Sequence, residues 1–397
     1  MTRRLALTAL MACATAAAAQ NPPAGAAPQR GRGGQRGGPP WRTAADTARA
    51  HRLYVSTNPA DMPTIDSAQG AAQIAQRLKT EQFFREKSKG VLDFQTVSFR
   101  SNADGLEIPA YVFAPLNKRG AKGHAAIVMV HGYVHGRFED RQLVWVREAV
   151  SKGYVVVAPQ YRGSTGFGAD FYNAIDYGGK EIDDAESAYD YIKNNLAYVD
   201  PERVGIIGWS HGGFITAHIL FRDGQPFKAG APIVPVTNLI FRLGTHAPSY
   251  AQPFASRPEV HGMPFENLDE YVKRSPVFHV DHLKVPILVN VATNDCDVNF
   301  IEDQQMVYTL RALKPELADT KIYVDPPYLL AGGKNGKDPK VDGQGALGGC
   351  GHTFSERVVL DPNSPRYMER DDSPEQIDAW NRIWAFFARN LHPEQGK

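Results

Sequence analysis

Continuous apolar runs recur between residues 125 and 291, and stretches with helical patterning separate them. The runs are Ala125–Val130, Tyr154–Ala158, Val204–Ile207 and Ile287–Val291. Continuous rather than alternating apolar residues are typical of strands that are covered on both faces, as the strands of parallel sheets are. Between them, Glu181–Leu196 spaces its apolar residues by three and four, which predicts a helix. Alternating strands and helices predict an α/β fold with a mostly parallel central sheet, covered by helices on both faces.

The pattern before residue 125 is different. Residues 41–90 are predicted to be mostly helical, with an apolar face that includes Ile74, Leu78, Phe83 and Phe84. Asp104-Gly105 then separates the apolar stretches Phe94–Phe99 and Ile108–Phe113, which predicts a β-hairpin. The chain is therefore divided into a helical N-terminal extension, 41–90, and a main domain, 91–397.

The first residues have the pattern of an export signal. The doubly basic Arg3-Arg4 precedes a short apolar run, Leu5–Met11, and the small residues Ala17–Ala19 precede a predicted cut before Gln20. We therefore expect residues 1–19 to be a signal peptide and the protein to be periplasmic or secreted.

The composition and the charge narrow the classes of function. Hydrophobic residues make up 43% and charged residues 22% of the 397 residues, as in ordinary globular proteins. The net charge is +1, which argues against nucleic acid as the main partner. Residues 20–40, rich in Gly, Pro and Arg, predict a disordered linker. No later stretch is apolar enough to span a membrane. The alternative to cleavage before Gln20 is a lipid anchor at Cys13.

The strongest chemical signal is Gly208-Trp209-Ser210-His211-Gly212. It follows the predicted strand Val204–Ile207 directly, and an apolar, helix-like segment, Phe214–Leu220, comes next. A serine between glycines at a strand-to-helix turn is the pattern of a nucleophile elbow, where the turn exposes the hydroxyl at the carboxyl end of the sheet. This context favours a catalytic serine over a chance Gly-x-Ser-x-Gly in a loop. It also specifies the fold as the α/β-hydrolase fold.

A serine nucleophile needs a base and an orienting acid, which follow it along the chain in this fold. The predicted strand Ile287–Val291 leads into a loop with Asp295 and Asp297, and either carboxylate could serve. Asp295 is favoured because it is nearer the end of the strand. Of the two histidines beyond this loop, His392 lies past the last predicted helix. His352, in a glycine-rich loop, is therefore the predicted general base.

The oxyanion of an acyl-transfer intermediate needs backbone N–H donors. One is expected from His211, the residue after the nucleophile, and the other from Tyr133, in the loop after Ala125–Val130. His131 and His135 in the same loop suggest a metal site at first sight. No carboxylate or cysteine accompanies them at ligand spacing, so neither a metal nor another cofactor is expected.

Four segments resemble the prolyl oligopeptidase family of serine hydrolases, and together they cover roughly residues 95–392. They are Tyr161–Gly168, Val199–Gly213, Ser275–Ile287 with the acid loop that follows, and Gly351–Phe354. In that family the catalytic Asp stands three residues before a Val, as Asp295 stands before Val298, although Val291-Ala292 replaces the family's His-Gly pair. The resemblance implies a catalytic α/β-hydrolase domain and supports Asp295 as the acid.

The chain also departs from this family. Residues 41–90 are too short for the β-propeller that limits substrate size in many members. Tyr133 stands where many members carry glycine, and 330–349 is a glycine-rich insertion before His352. We expect 41–90 and Val236–Arg274 to shape the mouth of the site. The aromatic residues of the second segment form either a cap or packing at the sheet edge; they are Phe241, Tyr250, Phe254 and Phe265.

The two cysteines outside the predicted signal peptide flank the predicted acid and base. Cys296 directly follows Asp295, and Cys350 precedes His352 by two residues. A hydrogen bond between Asp295 and His352 would bring the two loops together, within reach of a disulfide. We therefore predict a Cys296–Cys350 bridge that holds the histidine loop on the acid loop.

The sequence thus predicts a serine hydrolase that cleaves an amide or ester bond through an acyl-enzyme. Ser210, His352 and Asp295 are its expected catalytic residues, and the N–H groups of His211 and Tyr133 its oxyanion donors. The family resemblance favours a peptidase. A carboxylesterase or carbohydrate-ester esterase is the alternative, and a non-catalytic binding protein on the same fold is a third reading. The expected partner is a peptide or ester substrate, and the oligomeric state is left open.

Overall fold

Among the residues that the computed structural model describes, eight strands form one sheet. They are β1 Asp93–Arg100, β2 Glu107–Ala114, β3 His124–Val130, β4 Val155–Pro159, β5 Val199–Trp209, β6 Ala229–Ile233, β7 Ile287–Ala292 and β8 Ala318–Tyr323. Their spatial order is β1-β2-β4-β3-β5-β6-β7-β8. β2 pairs antiparallel with β1 and β4, and the other neighbouring pairs are parallel. The mostly parallel sheet confirms the predicted fold class.

The structure describes residues 67–246, 248–326, 351–352, 358–359, 364–365, 367, 369–370 and 373–395. All of them belong to one compact unit, Pro39–Lys397. The predicted signal peptide, 1–19, and the predicted linker, 20–40, lie outside the described residues. So do residues 41–66 of the predicted helical extension and the insertion 330–349.

Helices cover both faces of the sheet. They are α1 Ser67–Ser88, α2 Leu143–Ser151, α3 Ala169–Asn173, α4 Lys180–Asn195, α5 His211–Leu220, α6 Leu239–Thr245, α7 Pro248–Ala255, α8 Leu268–Lys273, α9 Phe300–Leu313 and α10 Pro374–Leu391. Buried side chains of α4, α5 and α9 share one hydrophobic core, and those of α1, α2 and α10 share a second. Within the described ranges, no helix combines the length and the apolar character needed to cross a membrane.

The third strand shows why its sequence is continuously apolar. Ala126, Val128 and Val130 belong to one core, whereas Ile127 and Met129 belong to the other. Successive side chains of a strand point to opposite faces, so a strand with a core on each side needs apolar residues at every position.

The first described helix packs into the same core as the first strands. Phe84 of α1 is fully buried. Its ring lies edge-on to Tyr111 and Phe113 of β2, with centroid distances of 5.6 Å and 5.3 Å. Edge-to-face contacts of this kind add to the free energy gained by burying the ring. α1 is therefore an integral part of the described fold.

A cluster of tryptophans lies behind the strand that ends at the predicted nucleophile. Trp380 of α10 stacks on Trp145 of α2 at 5.4 Å and lies 5.6 Å from Trp209, the last residue of β5. Trp384 extends the cluster at 5.3 Å from Trp380. The last helix of the described chain thus packs directly against the nucleophile strand.

The loop after β4 is held by a buried ion pair. Arg162 donates to Asp184 of α4 through Nε and Nη2, both at 2.8 Å, and to Asp104 of the hairpin through Nη1 and Nη2, both at 2.9 Å. Burial opposes ionisation of Asp104, yet the hydrogen bonds and charge of Arg162 lower its pKa to about 2. In the same loop, the Ser164 hydroxyl lies 2.9 Å from His131 Nε2. The ion pair therefore anchors the loop that supports the residues after β3.

Candidate active site

Ser210 occupies the turn between β5 and α5. Its φ of 56° is a conformation that residues with a side chain rarely adopt. The turn is held on both sides: Ser210 N donates to Ile233 O at 3.0 Å, and Phe214 N donates to Ser210 O at 2.9 Å. A Cβ atom at Gly212 would collide with the carbonyl oxygen of Val130, so glycine is required at this position. This local geometry is that of a nucleophile elbow.

The structure brings Ser210, His352 and Asp295 into one hydrogen-bonded chain. The Ser210 hydroxyl donates to His352 Nε2 at 2.9 Å, and His352 Nδ1 donates to Asp295 Oδ2 at 2.8 Å. The other oxygen of Asp295 accepts the backbone N–H groups of Asp297 and Val298, at 3.0 Å and 2.9 Å. All four bonds have ordinary hydrogen-bond lengths, and together they fix the orientation of the carboxylate and of the imidazole.

The two carboxylates that the sequence left open occupy different positions around the imidazole. Asp295 lies at Nδ1 and its side chain is fully buried. Asp297 lies near the other ring nitrogen, with Oδ2 3.5 Å from Nε2, and its side chain is 42% exposed. Only Asp295 can therefore hold the Nδ1–H tautomer that leaves Nε2 free to accept the serine proton.

The surroundings of His352 raise the pKa of its imidazole. Burial disfavours the charged imidazole, but the charge and hydrogen bond of Asp295, with the charge of Asp297, raise the pKa of His352 to about 9. The base form of the imidazole therefore increases as the pH rises toward about 9. Activity that depends on a neutral His352 should increase over the same pH range.

The two predicted oxyanion donors reach the elbow from different parts of the chain. His211 directly follows it and begins α5. Gly132 packs against the elbow, because a Cβ atom built there would lie 3.5 Å from Ser210 Cβ. Tyr133 follows with a φ of 62°, and the Tyr161 hydroxyl donates to its carbonyl oxygen. Tyr133 is thus held in a left-handed conformation, one residue after the contact of Gly132 with the elbow.

The side chains of the nearby histidines have structural partners. His131 lies between Ser164 Oγ and Gly132 O, each 2.9 Å away. His135 Nδ1 lies 2.9 Å from Gly163 O, and its ring stacks on Tyr172 at 3.7 Å. In the described part of the chain, no group of three or more His, Cys, Asp or Glu side chains is arranged to hold a metal ion.

Sequence reasoning missed Arg242, which lies on α6 and is almost fully buried. Its Nη2 donates to Asp297 Oδ1 at 3.0 Å, its Nη1 donates to Asp297 O at 3.1 Å, and its Nε donates to Tyr250 OH at 2.9 Å. No local pattern links an arginine with an aspartate 55 residues further along the chain. The clamp fixes Asp297 beside His352.

The segment Val236–Arg274 packs on the fold and also contacts the site. It contains α6, α7 and α8. Phe254 is buried and packs on Tyr177 at 5.0 Å, as sheet-edge packing requires. Tyr250 contacts the arginine clamp of the site, whereas Phe265 is 84% exposed. The segment thus both packs on the fold and reaches the site.

Residues 139–329 match the sequence profile of the prolyl oligopeptidase family. The matched stretch includes Ser210 and Asp295, and His352 follows it. The chain contains a prolyl oligopeptidase family domain. This result confirms the family that the sequence motifs suggested.

Known proteins are similar to this prolyl oligopeptidase family domain over about half of the chain. An uncharacterized peptidase of Bacillus subtilis is 30% identical over 220 residues, which are 54% of this chain and 32% of that protein. The acylamino-acid-releasing enzyme of Mus musculus is 26% identical over 218 residues, 52% of this chain and 29% of that enzyme. Dipeptidyl aminopeptidase BIII of Pseudoxanthomonas mexicana is 31% identical over 198 residues, 47% of this chain and 27% of that enzyme. The chain thus spans about a third of the length of these curated relatives.

A solved structure shares the fold of the domain. The acylaminoacyl peptidase of Pyrococcus horikoshii superposes with a TM-score of 0.55 and 22% sequence identity. The superposition covers 76% of this chain and 42% of that one. At this identity the likeness concerns the fold alone.

Proposed function

We propose that this protein is a serine peptidase of the prolyl oligopeptidase type. The observation that carries the proposal is the hydrogen-bonded chain from Ser210 through His352 to Asp295, with bonds of 2.9 Å and 2.8 Å. Its position at a strained strand-to-helix turn of a prolyl oligopeptidase family domain supports the same function.

In the proposed reaction, Ser210 Oγ attacks the carbonyl carbon of the scissile bond while its proton moves to His352 Nε2. Asp295 keeps the Nδ1–H tautomer and stabilises the imidazolium that forms. The N–H groups of His211 and Tyr133 hold the oxyanion of the tetrahedral intermediate. His352 then gives the Nε2 proton to the leaving group, and the acyl group stays on Ser210. Water then attacks the acyl-enzyme as it loses a proton to His352. The ester bond to Ser210 Oγ breaks, the acid is released, and His352 returns the proton to Ser210 Oγ.

Peptides are the proposed substrates, because the curated relatives carry the names of a peptidase, an acylamino-acid-releasing enzyme and a dipeptidyl aminopeptidase. The same constellation of residues also hydrolyses esters on unrelated and related folds. Substrate class is therefore best tested with pairs of substrates that differ only in the scissile bond.

We expect the purified protein to hydrolyse peptide p-nitroanilides as well as the matching p-nitrophenyl esters of the same acyl group. A serine peptidase cleaves both, since the leaving amine is protonated by the imidazole. The measurement is kcat/KM for each amide and ester pair, with Ser210→Ala as the control for background hydrolysis. Hydrolysis of the esters alone would contradict a peptidase and support the carboxylesterase or carbohydrate-ester esterase.

The proposal extends to the location of the protein and to its cysteines. The N-terminal signal pattern supports export, into a compartment where disulfides persist. Cys296 is disulfide-bonded, and Cys13 and Cys350 lie outside the described residues. Gly351, the neighbour of Cys350, donates its N–H to Asn294 O at 2.9 Å, which supports Cys350 as the partner.

We expect an unreduced digest of the exported protein to contain one peptide pair joined through Cys296 and Cys350. The bridge would stabilise the fold because it restricts the unfolded chain, by about 4 kcal/mol in the chain-entropy account. Mass spectrometry before and after reduction is the measurement. Alkylation of both cysteines without a reductant would show that the bridge is absent.

A further inference from the structure

His352 has a carboxylate at each of its ring nitrogens. Asp295 Oδ2 lies 2.8 Å from Nδ1, and Asp297 Oδ2 lies 3.5 Å from Nε2. The same Nε2 is 2.9 Å from Ser210 Oγ. A protonated imidazole can therefore direct its Nε2–H toward the serine or toward Asp297, whereas the neutral imidazole accepts the serine proton at that nitrogen.

Hydrogen bonds from the neighbouring helix α6 fix the position of Asp297. Arg242 of α6 holds both the backbone carbonyl oxygen and the Oδ1 atom of Asp297, at 3.1 Å and 3.0 Å. This clamp leaves Oδ2 directed at the imidazole. Burial raises the pKa of Asp297, but the charges of His352 and Arg242 lower it below the usual value overall, so the carboxylate is ionised at neutral pH.

The other charged groups around this pair act less directly. Arg242 opposes protonation of His352. His246, at the end of α6, faces Asp297 and has a lowered pKa, because burial and the charge of Arg242 disfavour its charged form. On α9, burial raises the pKa values of Glu302 and Asp303. Among the described residues, the negative charges that raise the pKa of His352 are those of Asp295 and Asp297.

We propose that Asp297 is a second carboxylate of the active site, which holds the Nε2–H of protonated His352 and thereby raises the pH at which the enzyme becomes active. This inference rests on the proposed function. Below that pH, Nε2 carries a proton, and Ser210 has no acceptor for its own. When Nε2 loses that proton to solvent, its lone pair accepts the serine O–H and attack proceeds. After attack, Asp297 stabilises the imidazolium, so it acts as a positioning residue in both states.

The test is the pH profile of kcat/KM for Asp297→Asn. Removing one charge 3.5 Å from Nε2 should move the acidic limb to lower pH by about one unit or more. The plateau at high pH should fall by less than about tenfold, because Asp295 still fixes the imidazole.

The matched control is Asp319→Asn. Asp319 is also partly exposed, and it is paired with Arg382 and Arg389. It lies opposite Leu288 at the amino end of β7, away from the site. The proposal would be overturned if the acidic limb of Asp297→Asn lay at the same pH as that of Asp319→Asn.

A second measurement does not depend on turnover. The imidazole of His352 is titrated by NMR in Ser210→Ala protein with labelled histidine, and His352→Gln identifies its signal. Adding Asp297→Asn should lower the midpoint by about one unit or more, and a midpoint moved no further than by Asp319→Asn would refute the role of Asp297. Absence of Ser210-dependent turnover in the wild-type protein would instead refute the proposed function, while this titration still decides the inference.

Discussion

Ser210→Ala should lower kcat by roughly 10³–10⁶ and should abolish labelling by fluorophosphonate probes. The methyl group keeps the volume of the elbow but supplies no nucleophile, and His352 loses the hydroxyl that donates to it at 2.9 Å. His352→Ala should cause a loss of the same order. The double variant should be no worse than either single variant, because the residues act as one unit.

The measurements are active-site labelling and steady-state kinetics on protein whose fold is checked by circular dichroism. Ser151→Ala is the matched control, since Ser151 is exposed at the end of α2 and its hydroxyl donates only to Glu148 O at 2.7 Å. It should retain full activity and labelling. Substantial turnover by Ser210→Ala would contradict the whole proposed mechanism.

Asp295→Asn should lower kcat by about 10⁴. The asparagine oxygen can keep the N–H groups of Asp297 and Val298, so the loop should hold its shape. Its amide nitrogen would then face His352 Nδ1 as a donor, which favours the tautomer with hydrogen on Nε2. That tautomer cannot accept the serine proton.

Single-turnover kinetics with a p-nitrophenyl ester would measure this loss at the acylation step. Comparison with Asp297→Asn separates the two carboxylates, because only Asp295 lies at Nδ1. We expect the first variant to lose far more plateau activity than the second. The opposite order would mean that the assignment of the acid is wrong.

The nucleophile could be predicted because its signal is local. A short apolar strand, a serine between glycines and an apolar helix occupy one continuous stretch, and the structure reproduces it as β5, Ser210 and α5. Asp295 and His352 required a rule about chain order rather than local pattern. Their hydrogen bond joins residues 57 positions apart, which no local pattern in the sequence displays.

Two features could not be read from the sequence. β6, Ala229–Ile233, contains alanine, glycine and proline, which have low strand propensity. It is a strand because its backbone pairs with β5 on one side and β7 on the other. The second feature is the clamp between Arg242 and Asp297. It depends on how α6 packs beside the acid loop, and this packing exists only in the folded chain.

The tryptophan cluster behind Ser210 gives the protein a built-in optical reporter. Four of its five tryptophans, Trp145, Trp209, Trp380 and Trp384, belong to that cluster and are buried, and the fifth, Trp41, lies outside the described residues. Most of the tryptophan rings that can emit therefore lie where α10 meets the end of β5. Departure of α10 would expose these rings to water and shift the emission to the red. Trp209 immediately precedes Ser210. The red shift of tryptophan emission therefore also reports when the packing around the nucleophile is lost, and no attached dye is needed.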